Sequence, residues 1–471
     1  MIYMYISAKV NQMRNSMKLT VKLLFPVLLL IFINNAEAER LSLQQAIHAA
    51  LEDNPALKSY SWILQGQRED LKTAKGHLYP KLKIEERYQR TDNPTYGFMS
   101  KLNQERFTQE DFLIESLNDP ADISDFQTSF SIEQPLFVPG VYAGIHIAGK
   151  ELEAKQAEYQ RKREEVVLNV VKSFHSVLSS KKYLKVTQQG IEDAQEHQRL
   201  AALRYDAGVG LHSDVLRAGV AVKKAEAVFV TAESNLEVAG RALGLLLGRT
   251  ETVDVEEDKP ILPLIDLGAY LDAAVQREDL KALKLRYDNS RQSVNMERSA
   301  LLPEAGIGGS YFLNDHNSPF SPEGESYLVG GFIRWNLIDA SVHHKIKKAQ
   351  ARVREVEEAL TGFEKEIHFR INEAYIRVRE KDHNRALSEA MMKEAEEALR
   401  LVSVRYENSL APIVDLLDTQ LAVDGARARL LEAENQYLNA IADLYYQSGI
   451  LLKTINQDGE LRMSHHDDLK Q

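Results

Sequence analysis

The sequence predicts a mainly α protein with a smaller β part: long coiled-coil helical hairpins and four strands, arranged as two copies of one unit. Three observations carry that prediction. The chain repeats itself: shifted by 201 positions, residues 134–248 lie on 335–449 without a gap. Leu136 meets Leu337, Phe174 meets Tyr375, Arg204-Tyr205 meets Arg405-Tyr406, Asp214 meets Asp415 and Gly248 meets Gly449. Self-similarity at a fixed spacing defines the structural unit. The apolar period changes from about 3.6 to 2 after Pro80 and again after Pro303, the mark of a helix giving way to a strand. Finally, residues 141–206 and 342–407 contain no proline and keep apolar residues at helical spacing over many turns, the pattern of a coiled-coil seam.

Residues 1–38 read as a cleaved signal peptide. Lys18 and Lys22 form a basic start, Leu23–Ile33 an apolar stretch, and Ala36-Glu37-Ala38 a small-residue cleavage site. The apolar stretch is too short to span a bilayer, which takes ~20 residues. The leader carries Lys9, Arg14, Lys18 and Lys22 against Glu37, so its removal takes the formal charge from −11 to −14. An acidic mature chain argues against nucleic acid, which requires basic surface. The absence of cysteine excludes a disulfide framework, a thiolate metal site and an acylated cysteine anchor. No mature segment is long and apolar enough for a transmembrane helix. An exported bacterial envelope chain of this kind is either periplasmic or part of an outer-membrane barrel.

The first unit spans 39–264, the second 265–452, and 453–471 is a polar tail. Each unit opens with a helical segment. Residues 41–76 are interrupted near Asn54-Pro55 and end at Tyr79-Pro80; in the second copy the segment begins at Leu267 and ends at Leu302-Pro303, because the residue before proline is pushed out of the helical region. Strands follow. Leu82, Ile84 and Tyr88 alternate with Lys81, Lys83, Glu85 and Arg87, and Phe126, Phe130 and Ile132 with Gln127, Ser131 and Glu133. Ile307, Tyr311, Tyr327, Val329 and Ile333 continue the apolar face, with Arg334 opposite. Length and alternation are those of tilted transmembrane strands; a pair of half-buried soluble hairpins is the other reading. Residues 91–125 and 314–325 read as exposed loops. Each long helix spans ~100 Å at ~1.5 Å per residue and must pair along its length. Ala207–Gly210 and Asn408–Pro412 break the two helices, and return helices run to about Gly248 and Gly449. Gly240, Gly244 and Gly248 share a face, either to admit another helix or because the helix weakens near its end.

These features resemble the outer membrane efflux protein family, the TolC-like channels. The resemblance covers about 41–450 and rests on LSLQQAIHAALEDNPAL (41–57), QPLF (134–137), AGVGLHSDVLRA (207–218), IVDLLD (413–418) and the internal repeat. It implies a homotrimer in which each chain gives four strands to one twelve-stranded outer-membrane barrel and its helices to a periplasmic α-barrel. It implies a passive exit duct of a tripartite efflux or type I secretion system, embedded in outer-membrane lipid. A periplasmic adaptor (membrane fusion protein) would open it, and an inner-membrane pump would act through that adaptor. The residues independently require more than one chain: four strands cannot close a barrel, and open edges are not tolerated in lipid. Two, three or four chains would each close it; the resemblance selects three.

No catalytic constellation is present, and no cofactor or metal is expected. GLLLGRT (244–250) lacks P-loop spacing and its lysine. His343-His344 reads as a solvated turn, and His465-His466 lies in the polar tail. Asp415 and Asp418 are i, i+3 and share a helix face. By resemblance they match the family's paired acidic residues at the periplasmic entrance, where three copies would bring six carboxylates into a cation-attracting constriction; the other reading is acidic residues favoured near a helix N-terminus. Asp214 is expected to cap or start its helix. Val209-Gly210-Leu211 resembles the tip motif that meets the adaptor, and Leu410-Ala411-Pro412 is its diverged counterpart. A soluble periplasmic coiled-coil adaptor or scaffold is the alternative function. Fractionation separates the two: a heat-modifiable, detergent-requiring trimer is expected, and release by osmotic shock would favour the scaffold.

Overall fold

The computed structural model describes residues 40–257, 262–321 and 323–455. The predicted leader and residues 456–471, with His465 and His466, lie outside the described residues. The elements in order are β1 (Arg40–Leu41), α1 (Leu43–Asp53), α2 (Pro55–Gly76), β2 (Lys81–Thr91), α3 (Pro94–Asn103), α4 (Ile114–Asn118), β3 (Ile123–Phe137), α5 (Pro139–Asp206), α6 (His212–Leu246), β4 (Asp254–Val255), α7 (Leu267–Ala274), α8 (Glu278–Ser299), β5 (Glu304–Asp315), β6 (Gly324–Arg334), α9 (Ala340–Glu407) and α10 (Ile413–Ser448). A helix pair, a strand pair, a 68-residue helix and a return helix occur twice. Both helix pairs are interrupted, the second at Val275–Arg277, which its sequence pattern does not announce.

The breaks serve as clasps. Ser42 and Gln45 start α1 with a capping box, and Asn54 then caps α2 by accepting from Ala56 N and Leu57 N, with Pro55 in the first turn where its missing N–H costs nothing. The amide of Asn54 donates to Leu246 O at 2.8 Å, at the end of α6. In the second copy buried Arg277 donates to Gln447 O at 2.5 Å, and Gln447 is Leu246 shifted by 201. Gly248 and Gly449 both take positive φ, +72° and +74°, and sit against Asp53 and Arg277. Arg277 also grips Asp279, and Arg161 lies 3.3 Å from the same carboxylate and stacks 3.6 Å above the Tyr446 ring. Burial pushes the Asp279 carboxyl up, but Arg277 and Arg161 outweigh it and hold it below its usual range.

The main core forms around these clasps. Val166, Val167, Val170, Val171, Phe174 and Val177 of α5 meet Leu243 of α6, Tyr270 of α7, Ile367, Ile371 and Val378 of α9, and Ile441 and Leu444 of α10. The sheet projects from one end of the long helices and the helical tips from the other.

The four strands form one antiparallel sheet in the order β2-β3-β5-β6. Directly paired residues share a face: Leu82 with Ile132, Ile84 with Phe130, Phe130 with Tyr311, and Tyr311 with Tyr327. That face is apolar and open: Leu82, Tyr327, Val329 and Ile333 are 77–81% exposed. The opposite face carries Lys83, Glu85, Ser131 and Ser310, as the alternation predicts. β2 and β6 are edge strands.

Two expectations change. Residues 91–125 form more than loop, because Asn93 caps α3 with Pro94 behind it, the same signal as Asn54-Pro55. Phe98, Phe107 and Phe112 then pack edge to face, 4.9 and 5.5 Å apart. On the glycine face of α6, Gly248 meets the end of α1 at Asp53, but Gly240 and Gly244 admit no helix. A Cβ on Gly244 would lie 2.4 Å from Glu251 O, and one on Gly240 2.6 Å from Thr252 Cγ2, so the extended chain leaving α6 is what approaches. Gly244→Ala is therefore expected to destabilise the fold by about 1–3 kcal/mol through overpacking. Gly66→Ala, where nothing lies within 4 Å, should be neutral or stabilising by up to ~1 kcal/mol. Thermal melts of the detergent-solubilised protein check the pair.

Candidate functional site at the hairpin tips

Both tips close with the same backbone turn. After α5, Gly208 N donates to Tyr205 O at 2.9 Å and Val209 N to Arg204 O at 3.0 Å; after α9, Ser409 N donates to Tyr406 O at 3.0 Å and Leu410 N to Arg405 O at 2.7 Å. This is a helix C-terminus ended by one left-handed residue: Gly208 at φ +75° in the first tip, Ser409 at φ +63° in the second. Gly210 is required by close approach, since a Cβ there would lie 2.9 Å from Tyr205 N. Val209, Leu211 and Leu410 are 66–69% exposed, apolar knobs at the end of the molecule. Ala411 leans instead on a small apolar cluster of Ala201, Ala218, Tyr406, Ile413 and Leu416, and Pro412 occupies the N-cap position of α10.

Asp214 is not a cap. Leu211 holds the N-cap position of α6, no side chain caps that end, and Asp214 sits in the first turn, where the helix dipole favours a carboxylate. Asp415 has the same place in α10. Asp415 and Asp418 are exposed, on the side of α10 away from buried Ile413 and Leu416. Asp418 borders an open cleft of ≈ 800 Å³ between α5, α6 and α10 that also touches Leu216, Arg217 and Leu421. Arg217 is Asp418 shifted by 201, so the two tips present opposite charges at one site. His343 and His344, expected in a turn, are instead exposed helical residues near the start of α9, rings 5.6 Å apart.

The contact joining the two tips involves residues the sequence offers only as repeat matches. The Arg204 guanidinium crosses from α5, hydrogen-bonds to Tyr406 O, reaches Ser409 Oγ at 3.0 Å and lies 4.7 Å over the Tyr406 ring. Burial pushes the Tyr406 phenol up, with Arg204 opposing. Further from the tips is a second cluster. Gln420 donates to Asp193 at 3.3 Å and Asp424 at 3.0 Å, His197 lies 3.3 Å from Gln420 Oε1, and Arg427 lies 3.7 Å from Asp193 and 3.5 Å from Glu396. Burial pushes the Asp424 carboxyl up, aided by Asp193, against Gln420, Arg427 and His197. The exchange of Lys223 for Asp424 and Glu226 for Arg427 between copies is the sequence signal for this cluster.

The profile of the outer membrane efflux protein family matches residues 46–249 and 269–449. The alkaline protease secretion protein AprF of Pseudomonas aeruginosa is 21% identical over 445 residues, 91% of this chain and 88% of that protein. The fold is similar to a crystal structure of a membrane protein from Pseudomonas aeruginosa, with TM-score 0.73 and 19% identity, covering 86% of this chain and 90% of that one. It is also similar to the open state of the Neisseria gonorrhoeae MtrE outer membrane channel, with TM-score 0.69 and 18% identity over 86% of this chain and 88% of that one.

Arg204→Met should free the second tip: losing charge-assisted hydrogen bonds, each about 1.5–3 kcal/mol, is expected to speed amide exchange across residues 405–412 about tenfold or more. Asp424 carries a pH signature. A carboxyl whose pKa is raised by folding contributes stability present below its unfolded value, ~4, and lost as pH rises through the folded value. Asp424→Asn should therefore slow exchange in neighbouring α10 amides at pH 7 and change nothing at pH 3.

Proposed function

We infer the function from one premise: the chain belongs to the outer membrane efflux protein family, whose profile covers both copies of its repeat. The protein is an outer-membrane channel, a passive exit duct whose helices extend into the periplasm. The observation that carries this reading is the sheet. Among the described residues the main sheet holds four strands with an outward apolar face, and its edges are β2 and β6. Such a face is expected against lipid and not against water, and edges in lipid must be paired. Three copies closing a twelve-stranded barrel meet both requirements. Trp335 and Tyr79, 56% and 68% exposed at the helix-side end of the sheet, sit where an aromatic girdle marks the lipid boundary. A soluble scaffold would not keep Leu82 and Tyr327 in water, and that reading is set aside.

The tips are the working end. Three copies place six tips in a ring, with Asp415 and Asp418 lining a cation-attracting constriction. The exposed Val209, Leu211 and Leu410, with Gly210, Ala411 and Pro412 shaping the turns beneath them, form the surface for the hairpin of a periplasmic adaptor. That adaptor couples the duct to an inner-membrane pump, which supplies the energy. The likeness to a secretion protein over most of both chains supports a polypeptide cargo of a type I system beside small-molecule efflux. Asp415→Ala with Asp418→Ala is expected to raise single-channel conductance and lower cation preference in planar bilayers; an unchanged record would remove both residues from the gate.

A further inference from the structure

We propose that the outer end of the β5–β6 hairpin is a zinc site, with Asp315, His316 and Glu323 as its protein ligands. The three sit where β5 turns into β6, at the end of the sheet away from the long helices. The site is read from this chain's own side chains; the channel proposed above adds only that this end faces the cell exterior.

One ligand atom from each residue lies within 4.8 Å of the others. His316 Nδ1 is 2.5 Å from Glu323 Oε2 and 4.0 Å from Asp315 Oδ1. Those separations bracket the ~3.3 Å expected between tetrahedral nitrogen and oxygen ligands ~2.0 Å from zinc. Asp315 and Glu323 flank the turn, so an ion between them ties its two ends together. The turn is already held from below. Asp315 Oδ1 accepts from Asn317 N at 2.5 Å and Ser318 N at 3.0 Å, and Phe320, at φ +60°, donates its N–H to Thr128 Oγ1 of β3 at 3.1 Å. The side-chain amide of Asn317 lies 2.6 Å from His316 Nε2. Turned so that its oxygen faces the ring, that amide accepts the Nε2 proton and leaves Nδ1 for the ion, which is the outer contact a ligating histidine needs.

Beneath the ligands the fold buries more acceptor than donor. Asp315 and Asp125 are each 4% exposed, at neighbouring positions of β5 and β3, where Asp315 pairs with Phe126. Among the described residues neither carboxylate has a lysine or arginine partner, and His316, beside Asp315, is shared with Glu323. Asp125 accepts from neutral amides, Gln104 Nε2 at 2.8 Å and Asn314 Nδ2 at 3.2 Å. Gln104, 1% exposed, keeps its Oε1 buried without a partner. Its amide cannot be turned over, because Ser124 O and Asp125 Oδ1 both take its N–H groups. Gln104 stands beside the ligands: a Cβ on Gly324, the residue after Glu323, would lie 3.0 Å from Gln104 Cα. Buried carboxylates are paired or coordinate metals, and this corner has the acceptors for a cation. The imidazole selects zinc over calcium and magnesium, which take oxygen ligands.

The test uses untagged, metal-stripped, full-length protein in detergent, with His343, His344, His465 and His466 replaced by alanine so that neither histidine pair competes. Titrated with zinc chloride alone, it should bind a single zinc ion per chain. His316→Ala and, separately, Glu323→Gln should each weaken that affinity by about tenfold or more; Asp315 is left intact because its carboxylate also holds the turn. At a zinc concentration about ten times the Kd, amide exchange at residues 317–321 should slow about tenfold, and it should not change in His316→Ala. Calcium chloride or magnesium chloride at the same concentration should give neither effect. Failure of zinc to bind, unchanged affinity in both ligand variants, or equal protection by calcium or magnesium overturns the site. None of these results bears on the channel reading, which is decided separately by the trimer on native detergent gels and by conductance in planar bilayers.

Discussion

A helix of 68 residues has no core of its own, and that constraint governs the rest of the molecule. It spans ~100 Å and must be covered sideways along that whole length, because an isolated amphipathic helix is only marginally stable in water. α5 finds cover from α6 on one side and α10 on the other; α9 finds α10 but leaves its outer flank bare. The chain meets the constraint by doubling one unit, and the doubled unit meets it fully only in a closed ring.

The repeat is strict where length matters and loose where chemistry matters. Both long helices have 68 residues, so both tips reach the same depth. The ends of the return helices are held at equivalent carbonyls, Leu246 O and Gln447 O, although one copy uses Asn54 and the other Arg277. The same geometric need met by an amide and a guanidinium shows that position, not residue type, is conserved between the copies. At the tips the copies differ in Gly208 against Ser409 and Arg217 against Asp418, and further along in Lys223 against Asp424. In the proposed ring of six tips, two kinds of tip would give two kinds of joint.

Much of this was legible in the residues. Period 3.6 giving way to period 2 after Pro80 and Pro303 located helices and strands, and the register confirms the apolar face through Leu82, Ile132, Tyr311 and Tyr327. Asn93-Pro94 was legible too: it carries the capping signal of Asn54-Pro55, and reading it as a turn missed α3. The break before Arg277 carries no such signal. Arg204 and Tyr406 stood in the repeat as a matched Arg-Tyr step, but nothing in a repeat says whether a residue pairs with its own copy or the other.

The sequence by itself determined the long helices, the four strands of the main sheet and their two-fold repetition, because periodicity, proline and glycine act locally along the chain. It determined the acidic charge and the cysteine-free composition as well. Only the tertiary structure decided which glycines meet backbone and which meet open space, that Leu211 and not Asp214 sits at the cap of α6, and that Arg204 crosses to the second tip. The last of these depends on residues some 200 positions apart meeting at hydrogen-bond distance. Separations of that kind are set by how long helices lie against one another, and no local pattern encodes them.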